Sequence, residues 1–473
     1  MKTQVKWLRN ISLLSIVIFT GILYVRLGRD YLFEWDEAIY AQLGVEMRAN
    51  HDLLTPYWNG SLWLEKPPAI AWVTAIGQSL VSDPVLGSRL LMPLFAAATL
   101  FAVFQIGSYL GGTLLGASSM AILGYFNLFL SRARVVNTDG MLLAAIAWLI
   151  YLLLKGSSPW KIGLVAALAV FAKGPAGLLA LLIAIPIFIT KSKHYVLCTM
   201  YYVLIFTLPW HLYQLLIHGS SFYTPYFLEQ VLRRATVPIE FHLESRWFYF
   251  AALYKDLGIG VLLVAVLGLI FSLRRNWIII VWTLLPIIIF TLAKTRLSWY
   301  ILPAYPGIAL AVGTALTFFA RNHQAKAVLN ILVVGMLVQM IFHATQYINP
   351  TAPSSLLPDH IQIALKSRAF PGDSLSYLVN NSERTAEAIL PPEQTISSSF
   401  RYGGAPSVVF YSGKKVNYYY NYDNFRADLA SDPYFSLAVV NASDIDKLPP
   451  GFVHVDSANS LLLYERKALY ADH

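Results

Sequence analysis

The chain has 473 residues, of which 57% are hydrophobic and 13% charged, and its mean hydropathy is +0.55. Soluble domains carry roughly 25% charged residues, so the composition excludes an ordinary soluble fold and points to a polytopic membrane protein. The formal charge of +9 does not indicate a nucleic-acid partner, because most Lys and Arg residues sit at the ends of apolar runs rather than on one soluble face.

Apolar runs that suit helical spans are predicted at 10–28, 86–107, 113–130, 140–154, 160–172, 175–190, 195–217, 251–271, 277–293, 298–319 and 326–345. The first follows Lys2, Lys6 and Arg9. It is long for a secretory signal and lacks a small-residue cleavage site, so an uncleaved span is expected. Only Lys173, Gly174 and Pro175 separate the runs 160–172 and 175–190. The single cysteine, Cys198, lies inside an apolar run, which excludes an intrachain disulfide and a cysteine metal site.

With a cytoplasmic N-terminus, the inner loops carry eleven basic residues and no acidic one: Lys2, Lys6, Arg9, Lys155, Lys161, Lys191, Lys193, Arg274, Arg275, Arg321 and Lys326. The same parity puts all thirteen carboxylates before position 350 outside, namely Asp30, Glu34, Asp36, Glu37, Glu46, Asp52, Glu65, Asp83, Asp139, Glu229, Glu240, Glu244 and Asp256. Outer segments 29–85 and 218–250 are too long for simple turns, and Asp36–Arg48 and Pro67–Leu80 read as interfacial helices. Beyond Asn349, Pro350, Pro353 and Pro358 end the last span. The polar remainder, 350–473, reads as a small outer α/β domain after a membrane domain 1–349, with strands expected at Ser374–Val379, Ser407–Tyr411, Ser436–Val440 and Leu461–Glu465.

Three outer clusters carry chemistry. In EWDEAIY, Asp36 and Glu37 directly follow a span and Tyr40 lies one helical turn beyond Asp36; the competing role for Asp36 is an N-cap. In LEKPP, Glu65 and Lys66 precede a proline pair that starts a helix, and Lys66 can hold a phosphate as a point charge or snorkel beside Glu65. In SRARVVNTDG, Arg132, Arg134 and Asp139 crowd one mouth of the bundle, where unpartnered charge is costly. Lys173, Arg233, Arg234, His242, Lys294, Arg296 and Tyr300 share that side. Together they describe an electropositive cavity with embedded carboxylates, suited to an anionic lipid headgroup. Nucleotide sugars stay in the cytoplasm, so an outward transferase needs a donor delivered by the membrane, and a polyprenyl-phosphate sugar is one. Basic groups would stabilise the phosphate leaving group while a carboxylate deprotonates the acceptor hydroxyl.

These clusters, DE-x-x-Y after the first span, EKPP before the second and Asp139 after an Arg-rich stretch, resemble the dolichyl-phosphate-mannose protein mannosyltransferase superfamily. The likeness is strongest to its bacterial lipid A 4-amino-4-deoxy-L-arabinose transferase branch. The resemblance implies an all-α GT-C bundle of about 11 to 13 transmembrane helices with a C-terminal periplasmic domain, in the inner membrane. It further implies Asp36 and Asp139 as catalytic aspartates, Lys66 at the carrier phosphate and Tyr40 and Tyr300 in the site. Arg134, Lys173, Arg233, Lys294 and Arg296 are expected beside the donor phosphate. Glu65 matches a position associated with a divalent metal (Zn, Mg or Mn), with His242 as second ligand. Ile39 departs from the branch, which has Arg there, and this leaves the sugar and the lipid, glycan or protein acceptor open. The competing class is a lipid-linked glycan flippase, for which inverted repeats and mid-span charges would be expected; neither is visible.

Overall fold

The computed structural model describes residues 2–239, 242, 244–274, 276–320, 322–348, 357–379, 394–396, 400–431 and 436–467. Glu240, Arg275, Arg321, Pro350 and Pro353, named above, lie outside these. Each predicted apolar run falls on a helix, because a chain in lipid must satisfy its backbone hydrogen bonds internally. Among the described residues, seven helical runs are long and apolar enough to cross a membrane, and shorter apolar helices at Thr113–Tyr125, Thr138–Leu154 and Trp277–Leu292 join the bundle. Both interfacial helices are present, as Asp36–Asn50 and Ala69–Leu80.

Between Pro159–Lys173 and Leu179–Phe188 the chain doubles back through the turn Gly174–Leu178. Gly174 has φ +60°, and a Cβ on Gly177 would lie 2.2 Å from the Ala169 carbonyl oxygen. A side chain there would block the reversal that puts Lys173 at its tip. Small residues also set the helix spacing elsewhere: Phe248–Ser272 approaches Tyr305–Phe319 so closely that a Cβ on Gly268 would lie 1.8 Å from the Ala311 carbonyl oxygen.

The C-terminal unit holds a five-stranded mixed sheet of β3 (Ser374–Leu378), β4 (Lys415–Tyr419), β5 (Leu437–Asn441), β6 (Phe452–Ala458) and β7 (Leu461–Arg466), ordered β4-β3-β5-β7-β6. Strand β3 runs parallel to β4 and β5, while β7 is antiparallel to β5 and β6. β1 (Tyr57–Trp58) and β2 (Ser61–Leu62) form a separate hairpin in the first outer segment. The expected strand at Ser407–Tyr411 is instead a buried helix, Ser407–Ser412. Its β-branched and aromatic residues favour a strand, but Pro406 before it and Gly413 in the left-handed region after it punctuate a helix. Glu34 completes that helix start by accepting from the Ser407 backbone N–H at 3.2 Å, from the Ser407 hydroxyl and from His360 Nε2 at 2.7 Å.

One buried ion pair ties the site-bearing segments together. Arg89 donates to both oxygens of Glu37, at 2.8 and 2.7 Å, and the two side chains are 5% and 3% exposed. The guanidinium also donates to the carbonyls of Leu27, Asp30 and Tyr31, and Glu37 accepts from the backbone N–H groups of Phe33 and Val136. Removing one partner of such a pair leaves an uncompensated buried charge, at a cost of about 3–5 kcal/mol. Glu37→Gln is therefore expected to lower the Tm of the detergent-solubilised protein by several degrees. The double replacement Glu37→Leu with Arg89→Met should recover part of the loss; intrinsic tryptophan fluorescence during heating measures both.

Candidate functional site

A cavity of about 1110 Å³ opens where the first outer segment, the 131–139 stretch, the Lys173 turn, the second outer segment and residues 289–300 meet. Of the predicted site residues, Asp36, Tyr40, Glu65, Lys66, Asp139, Lys173, His242 and Tyr300 line it. Asp36 is not an N-cap; Trp35 holds that place, and Asp36 begins the helix proper, one turn before Tyr40. Trp35 has φ +65° and ψ −123°, a conformation that costs a non-glycine residue about 1–3 kcal/mol. The strain falls on the residue that sets the direction of Asp36.

Tyr40 accepts a hydrogen bond from the Lys66 ammonium. Burial first, and then the charges of Asp36, Asp139 and Glu65, push its phenol well above the ordinary value, so it stays protonated. Asp139 lies in the first turn of Thr138–Leu154, a helix whose Asn137 cap accepts from the Gly140 N–H at 2.7 Å. It is buried and forms an ion pair with Lys173, whose ammonium also lies 5.0 Å from the centre of the Tyr300 ring. Burial alone would raise the Asp36 carboxyl, yet the positive field of Lys66, Arg132, Lys173 and Arg234 outweighs it and holds the group below its usual range. Asp36 is thus an ionised carboxylate inside a cationic chamber.

Four predicted donor-phosphate residues do not line the cavity. Arg134 donates to the Val25 carbonyl at 2.7 Å. Lys294 is exposed. Arg233 ends a wide helical turn, Thr224–Arg233, and Arg296 is buried with its guanidinium on the carbonyls of Glu244 and Thr291. Arg132 and Arg234 face the cavity instead, the first stacked 4.2 Å from the centre of the Trp299 ring. Both pairs are separated by only one or two positions, and such a step rotates a helical side chain by about 100–200°. The apolar pattern marks no phase there, because the helix Asn127–Arg132 ends at Ala133 and the wide turn ends at Arg233.

Both oxygens of Glu65 are hydrogen-bonded. One oxygen accepts from Tyr402 Oη at 2.7 Å and the other from Gln230 Nε2 at 2.9 Å, and Tyr402 Oη itself accepts from Trp63 Nε1 at 2.8 Å. Among the described residues no three His, Cys, Asp or Glu side chains converge. Glu65 and His242, the expected metal ligands, both lie on the cavity wall. Tyr402, Gln230, Arg132, Arg234 and Trp299 complete the wall beyond the predicted residues. Of these, Tyr402 and Gln230 had no signal in the sequence.

A family model described as dolichyl-phosphate-mannose-protein mannosyltransferase matches residues 65–213. An uncharacterized protein of Aquifex aeolicus is 28% identical over 377 residues, covering 73% of each chain. Undecaprenyl phosphate-alpha-4-amino-4-deoxy-L-arabinose arabinosyl transferase 2 of Pseudomonas fluorescens is 26% identical, with 71% of this chain aligned to 62% of the relative's length. Among solved structures, ArnT from Cupriavidus metallidurans bound to undecaprenyl phosphate superposes with a TM-score of 0.72 at 15% identity, over 96% of this chain and 98% of that one. The archaeal oligosaccharyltransferase AglB from Archaeoglobus fulgidus, in complex with an inhibitory peptide and a dolichol-phosphate, matches at 0.54 and 11% identity, over 93% and 70%. Over residues 65–213 this multi-pass membrane protein is thus similar to the dolichyl-phosphate-mannose-protein mannosyltransferases, and over almost its whole length its fold is that of ArnT.

Proposed function

We propose that the chain is a glycosyltransferase of the cell inner membrane that moves a sugar from a polyprenyl-phosphate carrier to an acceptor on the periplasmic face. The observation that carries this reading is the ionised Asp36 among Lys66, Arg132, Lys173 and Arg234, in a cavity of lipid-headgroup size. Its walls come from the segments that the charge distribution assigns to the outside. The named relatives act on undecaprenyl-phosphate sugars, which supports the carrier class.

In this mechanism the acceptor hydroxyl attacks the anomeric carbon as the bond from that carbon to the phosphate oxygen breaks. Asp36 takes the hydroxyl proton, and the electron pair leaves with the carrier phosphate. Lys66, Arg132 and Arg234 stabilise the charge that develops on that phosphate, a contribution that grows toward the transition state. A single displacement inverts the anomeric centre. Asp139 acts through Lys173: their ion pair holds the ammonium at the cavity wall. Ile39, buried in the helix after Asp36, puts an apolar group where the aminoarabinose branch has Arg. The sugar and acceptor here therefore need not be those of that branch.

Three outcomes test the assignment. With a labelled polyprenyl-phosphate sugar and membrane acceptors, Asp36→Asn should slow carrier release by about 10²–10⁴-fold, the usual size of a general-base contribution; full turnover would sink the role. Lys66→Ala should raise KM for the donor and lower kcat, because the phosphate contact is present in the ground state and strengthens in the transition state. A depressed carboxyl pKa keeps Asp36 ionised down to acid pH, so the acid limb of kcat/KM that it controls should lie below that of an ordinary aspartate. Arg132→Gln removes one of the charges that lower it and should move that limb upward; overlapping profiles of variant and wild type would refute the electrostatic account.

A further inference from the structure

The C-terminal unit touches the cavity at one place, and the contact reaches the reacting end of the donor site. Tyr402 enters between Trp58 and Trp35, with ring centres 4.8 and 6.2 Å away in edge-to-face arrangements. It is 5% exposed, and its hydroxyl binds Glu65, the residue that precedes Lys66 in the chain. The second oxygen of Glu65 accepts from Gln230, in the second outer segment. Three segments distant in sequence therefore meet on one carboxylate, and the cation that faces the donor phosphate is attached to it by a single peptide bond.

We propose that Tyr402 is a positioning residue of the transferase: its hydroxyl fixes Glu65 and thereby sets Lys66 against Tyr40 for the carrier phosphate. This makes the sheet-bearing unit an integral part of the donor site. The proposal rests on the carrier-phosphate reading given above.

The bond to Glu65 is distinct from the contacts that dock the unit. Docking is carried by Asn59, which donates to the Val416 carbonyl at 2.7 Å and accepts from its N–H at 2.8 Å, by Glu34 at His360 and Ser407, and by Tyr411, which accepts from the Leu32 N–H at 2.8 Å. A docking contact holds the unit in place, whereas the Tyr402 hydroxyl holds the carboxylate next to Lys66. Docking and positioning can therefore be separated by substitution.

The test uses the full chain in lipid nanodiscs, with undecaprenyl phosphate as the probe and binding, Tm and transfer as readouts. Tyr402→Phe keeps the ring and removes the hydroxyl; it should weaken undecaprenyl phosphate binding about 10-fold, as expected for losing a hydrogen bond to a charged group. Glu65→Leu should weaken it similarly, and the double variant no further, since both remove the same constraint. Asn59→Gly loosens docking while suiting the φ of +55° at that position; it should lower Tm and leave carrier affinity unchanged. If Tyr402→Phe binds the carrier as the wild type does, or if affinity simply follows Tm across all variants, the positioning role is overturned while the proposed function stands. A wild-type protein that fails to bind undecaprenyl phosphate overturns both.

Discussion

The Glu37–Arg89 pair is the constraint on which the site depends. Two charges buried to this degree persist only when every remaining donor and acceptor is used. Here the guanidinium takes three carbonyls from 27–31, and the carboxylate takes the N–H groups of Phe33 and Val136. Those bonds align the start of the Asp36 helix with the stretch that leads to Asp139. Two aspartates from separate clusters consequently share one cavity. Glu37 and Asp36 are adjacent in sequence, yet one side chain serves the scaffold and the other the chamber.

Within the chamber, the balance of charge explains what an unpartnered sum of residues would not. Lys173 is taken up by Asp139 and Lys66 by the Tyr40 hydroxyl, while Arg132 lies on the Trp299 ring. The cations are thus held in place by neighbours that leave their field directed at Asp36 and the cavity. A phosphate entering such a space displaces little ordered structure, which is the economy of a preorganised site. The same field depresses the Asp36 carboxyl, so its basicity is low until an anion offsets the surrounding charge.

Much of this arrangement was legible in the sequence. Apolar runs in a chain with few charges must become helices, because lipid offers the backbone no partners. The carboxylates sort to one side by parity, so Asp36, Lys66, Asp139 and Lys173 could be named before any coordinates existed. The C-terminal sheet was partly legible: β3, β5 and β7 fall on short runs that read as strands, while β4 and β6 were not recognised. The run at 407–412 has strand composition but takes a helix, since Pro406 and Gly413 govern its ends and Glu34, over 370 positions away, binds its first residue.

The sequence by itself therefore determined the membrane class and the short motifs that meet at the cavity, because these follow from local hydropathy and charge. Tertiary structure alone decided which member of each basic pair faces the cavity and which residues complete its wall. Arg132 and Arg234 rather than Arg134 and Arg233 turn inward, a choice set by where a helix ends and how a wide turn shifts phase. Arg89, Gln230 and Tyr402 reach Glu37 and Glu65 from 52, 165 and 337 positions away. Contacts at such separations are products of packing, and no local pattern encodes them.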